Sequence, residues 1–184
     1  LCASPACVLS VRHLERAGAK YLEVFRIVTH KRVADAFSGE GARLYGGRWN
    51  PKGVPVVYTA STRSLAMLEM LVQDQPLRAR YVVIAARIPL TVHIERIPTS
   101  SLPDDWSSRD RIDELRAMGA HWITRAKTAV LCVPSAVVPS EFNYLLKPAH
   151  AEFAKISRAP AEPLTTDRRL IEKLSRSAPR KPKR

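Results

Sequence analysis

An α+β fold is predicted from three observations. Segments rich in β-branched and aromatic residues recur at Tyr21–Val28, Tyr81–Ile88 and Thr128–Val138, the composition of strands. One segment, Thr62–Gln73, repeats apolar residues at helical spacing. Strand-like and helix-like segments alternate without a regular strand–helix–strand beat, which sets the class. The 184 residues fit one domain with a sizeable core, and the 46% apolar and 26% charged residues are ordinary for a globular chain.

Taken in order, residues 1–20 are expected to form a leader with a short helix at Val11–Ala17. The first strand follows at Tyr21–Val28. Thr29–Trp49 carries Gly39, Gly41, Gly46 and Gly47 and is expected to be an irregular loop. Turn residues Asn50, Pro51 and Gly53 precede a strand at Val54–Ala60. Ser61 or Thr62 then caps the helix running to Gln73. Strands are expected at Tyr81–Ile88 and Val92–Ile97, ended by Pro89 and Pro98. Ser107 or Ser108 starts a helix to Met118, and a second short helix, His121–Ala126, follows Gly119. Thr128–Val138 is an apolar strand interrupted by Pro134 and Ser135. Beyond Pro139 the chain is expected to be irregular, with a short strand at Phe153–Ser157 and a helix at Thr166–Ser175. Residues 176–184 form a basic tail expected to be disordered.

No run of 18 apolar residues is present, so no spanning helix is expected. Leu1–Ser10 lacks a basic region followed by an apolar stretch, so no secretory signal is expected, and Leu1 points to a trimmed or altered start. Cys2, Cys7 and Cys132 are odd in number and form no CxxC, which fits a reducing cytoplasm. The histidines lack metal-ligand spacing, and no metal is assigned. The net charge of +13 and pI near 10.2 attract polyanions, whether nucleic acid, an acidic protein or a phosphate-bearing small molecule.

Three places carry candidate chemistry. Glu69 is the sole ionisable residue between Arg63 and Asp74, within the stripe of Leu65, Leu68 and Val72 at about 100° per residue. Such a carboxylate faces a polar cleft, pairs with a cation, or stays protonated. Arg43–Gly53 holds two arginines, an aromatic pair and three glycines. Glycines let backbone N–H groups approach an anion, and arginine grips phosphate with its planar fork. On composition alone a structural turn is the likelier reading, and it matches neither a Walker A loop nor GxGxxG. Ser135 interrupts an apolar strand, so it is buried or lines a cleft. It sits in no GxSxG elbow.

Together these stretches resemble the RES domain. The similar segments are VFRIV at 24–28, GARLYGGRWNPKGVPVVYTASTRSLAMLEML at 41–71 and TAVLCVPSAVVPSEFNYLLKPAH at 128–150. The resemblance spans Tyr21 to Phe153 and defines a domain at 21–175. It implies a single compact domain resembling ADP-ribosyltransferase toxins, with a mixed β-sheet core and flanking helices. It also implies the toxin of a bacterial type II toxin–antitoxin system, acting in the cytoplasm with NAD as substrate. NAD would be cleaved at the nicotinamide–ribose bond by hydrolysis or phosphorolysis. Some members instead modify a protein such as phosphoribosyl pyrophosphate synthetase. The implied partner is a helix-turn-helix (Xre-like) antitoxin covering the active site, with DNA contacted only through it.

By position, the family's arginine falls on Arg48, its tyrosine on Tyr58, its glutamate on Glu69 and its serine on Ser135, with Ser140 a lesser alternative. The resemblance implies a further NAD-contacting arginine at Arg26. The resemblance implies that Glu69 stabilises ribosyl charge, Arg48 and Arg26 bind the pyrophosphate, and Tyr58 stacks on nicotinamide. Ser135 would bond the ribose or orient Glu69. Lys147 stands where the family commonly has Asn, which puts the turn before Pro148 in question. A basic nucleic-acid-binding module is the rival from another class, without a helix-turn-helix, RRM or zinc-finger pattern to support it.

Overall fold

The computed structural model describes residues 18–73, 80–167 and 169. Strands β1 (Tyr21–Thr29), β2 (Val57–Ala60), β3 (Tyr81–Pro89), β4 (Ile94–Arg96), β5 (Val130–Pro134), β6 (Phe142–Leu146), β7 (Ser157–Arg158) and β8 (Glu162–Pro163) form one sheet. Its order is β4-β5-β6-β2-β1-β3-β7, with β8 also on β3. Every pairing is antiparallel except β4 with β5, so the sheet is mixed. Helices α1 (Glu40–Tyr45), α2 (Arg63–Gln73) and α3 (Ile112–Arg125) flank it. The fold class is α+β.

Strand β5 is buried at every position, as its unbroken apolar run requires. In β5, Val130 and Cys132 join one core with Leu22, Val24, Ile88 and Tyr144. Leu131 and Val133 join the other, with Trp49, Trp106, Leu115 and Trp122.

One seam positions everything that follows. β1 pairs along its whole length with β3, from Tyr21–Pro89 to Thr29–Tyr81, but meets β2 only at Phe25–Ala60. Beyond that pair β1 and β2 part. The freed Tyr58 carbonyl accepts a hydrogen bond from Arg26 Nη1 at 2.7 Å, a side chain replacing a missing ladder partner. Helix α2 lies over the seam, packing Leu65 and Ala66 against Phe25, Ile27 and Ala60. Thr62 caps it, its Oγ1 accepting from the Leu65 N–H at 3.0 Å.

Several expectations are corrected. Thr29–Trp49 is not wholly irregular: it contains a 3-10 turn, His30–Arg32, and helix α1. An Arg43–Glu40 ion pair one turn apart supports α1 despite its glycine neighbours. Gly119 does not break α3, which continues to Arg125 after a 3-10 turn capped by Ser108. The strand expected over Thr128–Val138 ends at Pro134, where Ser135 begins a turn. The segment after Pro139 is not irregular, because β6 pairs there on both edges. Phe153–Ser157 is not a strand: Ala151–Lys155 is a 3-10 helix and only Ser157 enters β7. The turn before Pro148 forms with Lys147 in place, its Nζ donating to the Ile123 carbonyl at 2.7 Å. The helix at Val11–Ala17 and the tail at 176–184 lie outside the described residues, as does most of Thr166–Ser175.

Candidate active site

Glu69 emerges from the inner side of α2. The apolar stripe that singled it out is only half real: Leu65 is buried, but Leu68 and Val72 are exposed. Glu69 itself is partly buried beside the seam. Its Oε1 accepts two hydrogen bonds, from Ser135 Oγ at 2.7 Å and from Asn143 Nδ2 at 2.6 Å. No donor among the described residues is bonded to Oε2.

Ser135 is fully buried, and its hydroxyl is saturated. The proton goes to Glu69, while the oxygen accepts from the N–H groups of Val137 and Val138, both at 3.1 Å. It lines neither cavity described below, and its hydroxyl is directed at Glu69. Ser140 sits on an exposed turn.

The Arg43–Gly53 segment is held by a knot centred on Asn50. This side chain is fully buried and donates through Nδ2 to the carbonyls of Ala42, Pro51 and Val54 at 2.9–3.2 Å. Its Oδ1 accepts from the Tyr58 hydroxyl at 2.7 Å, and that hydroxyl in turn accepts from the Trp49 N–H at 3.1 Å. Burial pushes the Tyr58 pKa well above the usual tyrosine range. The phenol is therefore fixed and neutral, with its ring free to line the cleft. Gly47 packs against it: a Cβ there would overlap the Tyr58 hydroxyl.

That knot aims Arg48. Its Nη1 donates to the Ser108 carbonyl at 3.2 Å and more weakly to Trp106 at 3.5 Å. Burial lowers the Arg48 pKa, opposed by the nearby Glu69 carboxylate. Arg116, from α3, donates to the Gly47 carbonyl at 3.0 Å. Arg26 uses one Nη on Tyr58, while its Nε is buried with no hydrogen-bond partner among the described residues. Burial pulls its pKa down to about 10, and the charge of Arg32 adds to the shift.

These side chains surround two adjoining cavities. The larger, about 490 Å³, is lined by Arg26, Arg48, Tyr58, Glu69, Arg116 and Asn143 among others. The smaller, about 360 Å³, opens where β1 and β2 part. Both lie in the range of small-ligand sites. Glu69, Arg48, Tyr58 and Arg26 thus converge on one cleft, with Ser135 behind the carboxylate. Asn143 and Arg116 were not anticipated. Asn143 had a signal: it is the one polar residue of FNYLL, in a strand buried at every other position. Arg116, on a helix with several surface charges, had none.

A family model described as the RES domain matches residues 23–167. The chain belongs to the RES domain family. This RES domain is 37% identical over 134 residues to "Toxin Res" of Photorhabdus laumondii, covering 72% of the chain and 85% of that relative. It is 36% identical over 155 residues to the "Prs ADP-ribosylating toxin" of a Sphingobium species, covering 81% and 96%. A solved chain of the Mycobacterium tuberculosis MbcT–MbcA toxin–antitoxin complex superposes with a TM-score of 0.65 at 21% identity. That match covers 91% of this RES domain and 97% of the solved chain, and shows the shared fold. MbcT, named an NAD(+) phosphorylase, is 51% identical over a 37-residue stretch that is 20% of each chain.

Proposed function

We propose that this RES domain cleaves NAD at the nicotinamide–ribose bond and acts as the toxin of a toxin–antitoxin pair. The observation that carries the reading is the meeting of the Glu69 carboxylate with Arg26 and Arg48 on one cavity of about 490 Å³. Departure of nicotinamide leaves positive charge on the ribose, as in glycoside cleavage. A carboxylate fixed beside C1′ stabilises that charge without reorganising, and burial strengthens the effect. Ser135 and Asn143 hold one carboxylate oxygen, which leaves Oε2 for the ribose or the incoming acceptor. Arg48, Arg26 and Arg116 supply cations for the pyrophosphate. The Tyr58 ring forms a flat wall for the nicotinamide.

A second reading is favoured by the Sphingobium relative: the same residues pass ADP-ribose to a protein. Labelled NAD separates the two, because label appears either as free ADP-ribose or its phosphate, or on protein. The test of the main reading is nicotinamide release by the purified chain. Absence of release from a folded wild-type protein, with label absent from protein too, would overturn both readings.

An antitoxin partner fits the toxin names of the relatives and the rim of the larger cavity, where Tyr45 and Val72 are 70% and 69% exposed. We assign it the helix-turn-helix (Xre-like) class, so that DNA contact comes through the antitoxin rather than through the +13 charge directly. Among the described residues no helix is long and apolar enough to cross a membrane, and action in the cytoplasm is part of the same proposal.

A further inference from the structure

We propose that Tyr45 is the platform for the adenine base of NAD, and that the base is held by its face rather than read at its edge. The inference rests on the NAD-cleaving reading and seats the end of the dinucleotide which that reading leaves unplaced.

The larger cavity changes character along its length. Arg26, Tyr58, Glu69 and Asn143 also line the smaller cavity, which makes them the inner end. Tyr45 and Val72 line it as well, and at 70% and 69% exposure they mark its mouth. The segment 45–49 runs from that mouth inward, and every one of its residues lines the cavity. Its Gly47 abuts the Tyr58 hydroxyl, and Arg116 donates to the Gly47 carbonyl at 3.0 Å. Arg48 and Arg116 thus lie along the way from the carboxylate to the mouth. NAD has the same order, with the nicotinamide ribose first, then two phosphates, then adenosine. With C1′ at Glu69 and the pyrophosphate on the arginines, the adenine arrives at Tyr45.

The mouth suits a flat apolar ring. Tyr45 ends α1, where Gly46 at φ 71° turns the chain and its N–H closes the helix on the Ala42 carbonyl. Gly41 stands one turn before Tyr45 on the same helix face. A Cβ there would have nothing within 4 Å, so the space beside the ring is open. Val72 comes from α2, and Ile112 and Val137 extend the apolar lining. A single exposed tyrosine is ordinary. One that shares a cavity mouth with an exposed valine of another helix, beside an empty glycine position, is a slot. A base entering it removes both exposed surfaces from water and gains ring stacking.

Side chains that would read the edge of the base are missing. Among the described residues no Asp, Gln, Ser or Thr side chain lines the larger cavity, and its one Asn is committed to Glu69. Stacking tolerates any base, because every base has a π face. The seat therefore sets affinity for the dinucleotide and leaves the 6-substituent of the purine unread. The antitoxin assigned to this rim would displace the base rather than sit beside it.

The test uses two bases and three side chains. Calorimetric titration with ADP-ribose should give a Kd about 5- to 100-fold weaker in Tyr45→Ala than in wild type, the range for one base–aromatic stack. Tyr45→Phe keeps the ring and should stay within about three-fold of wild type. The hypoxanthine analogue of ADP-ribose should bind wild type within about three-fold of ADP-ribose and lose as much in Tyr45→Ala. Thermal melts should show all three proteins equally folded, since the ring is exposed. Equal Kd for ADP-ribose in wild type and Tyr45→Ala overturns the proposal, as does absence of binding to wild type. A Tyr45→Phe variant as weak as Tyr45→Ala overturns it by assigning the contact to the hydroxyl. A hypoxanthine analogue bound about ten-fold or more weakly than ADP-ribose overturns it by revealing a contact at the edge. Nicotinamide release from NAD is scored separately. If none is released while ADP-ribose binding still depends on the Tyr45 ring, the base seat stands and the NAD-cleaving reading fails.

Discussion

Asn143 donates to Glu69 Oε1 at 2.6 Å, across the join between the middle of the sheet and the helix above it. Asn143 stands opposite Ala60, which itself stands opposite Phe25 at the single contact of β1 with β2. The carboxylate is therefore indexed to the one point where the two halves of the sheet touch. Asn143→Ala removes one of two donors to Oε1 and should lower kcat for nicotinamide release about 10- to 100-fold, the scale of a lost hydrogen bond to a charged group. KM for NAD should change little, since Asn143 positions rather than binds. A drop in KM-dependent affinity with kcat intact would assign it to binding instead.

Glu69→Gln keeps an acceptor oxygen for Ser135 and Asn143 and removes only the charge. The fold should survive, with Tm within a few degrees of wild type. Nicotinamide release should fall by about 10²-fold or more, as expected when electrostatic stabilisation of a charged transition state is lost. Release assays with paired thermal melts check both halves. A folded, fully active variant would remove Glu69 from the mechanism.

Ser135→Ala acts on stability and activity together. It strands the Val137 and Val138 N–H groups in a partly buried turn and releases Glu69. Urea denaturation should show a loss of about 1–3 kcal/mol, the scale of unsatisfied buried polar groups, alongside reduced kcat. A loss of kcat without destabilisation would mean that water replaces the hydroxyl in the turn.

Arg26 was legible as a member of VFRIV, but its situation was not. Alternation in a strand places a residue on a face; it does not reveal that the neighbouring strand diverges and leaves a carbonyl for the guanidinium. The same limit hid β6. FNYLL follows Pro139 and Ser140 and has five residues, too few for its period to outweigh the turn residues before it. Glu69, by contrast, was visible as a lone carboxylate among apolar neighbours, although Leu68 and Val72 turned out to face solvent. Val72 belongs to the rim of the larger cavity rather than to the core, and Leu68 lies on the solvent side of the helix.

For Arg26 the sign of the linkage can be worked out. Its folded pKa, about 10, lies below the ordinary arginine value because burial disfavours the charged form. The unfolded chain binds more protons between those values, so stability rises with pH only in that window. At all lower pH the buried charge opposes folding. Arg26→Met should therefore leave the ligand-free protein at least as stable as wild type by thermal melt, while weakening binding of NAD about ten-fold or more. A destabilised variant would show that the bond to the Tyr58 carbonyl outweighs the burial of charge.

Gly119→Ala tests how the site is propped from behind. In the interior of an exposed helix this change is favourable by about 1 kcal/mol. Here α3 approaches the Trp49 backbone so closely that an added Cβ would overlap the Trp49 carbonyl oxygen, and backbone cannot swing aside as a side-chain tip does. Trp49 is buried and adjoins both Arg48 and the Asn50 knot, so relief must come from moving α3 or that loop. The substitution should destabilise by about 2 kcal/mol or more, the range for overpacking, and should also raise KM for NAD by displacing Arg48. A stability gain in urea denaturation would show that helix propensity outweighs the contact, and would sever α3 from the geometry of the cleft.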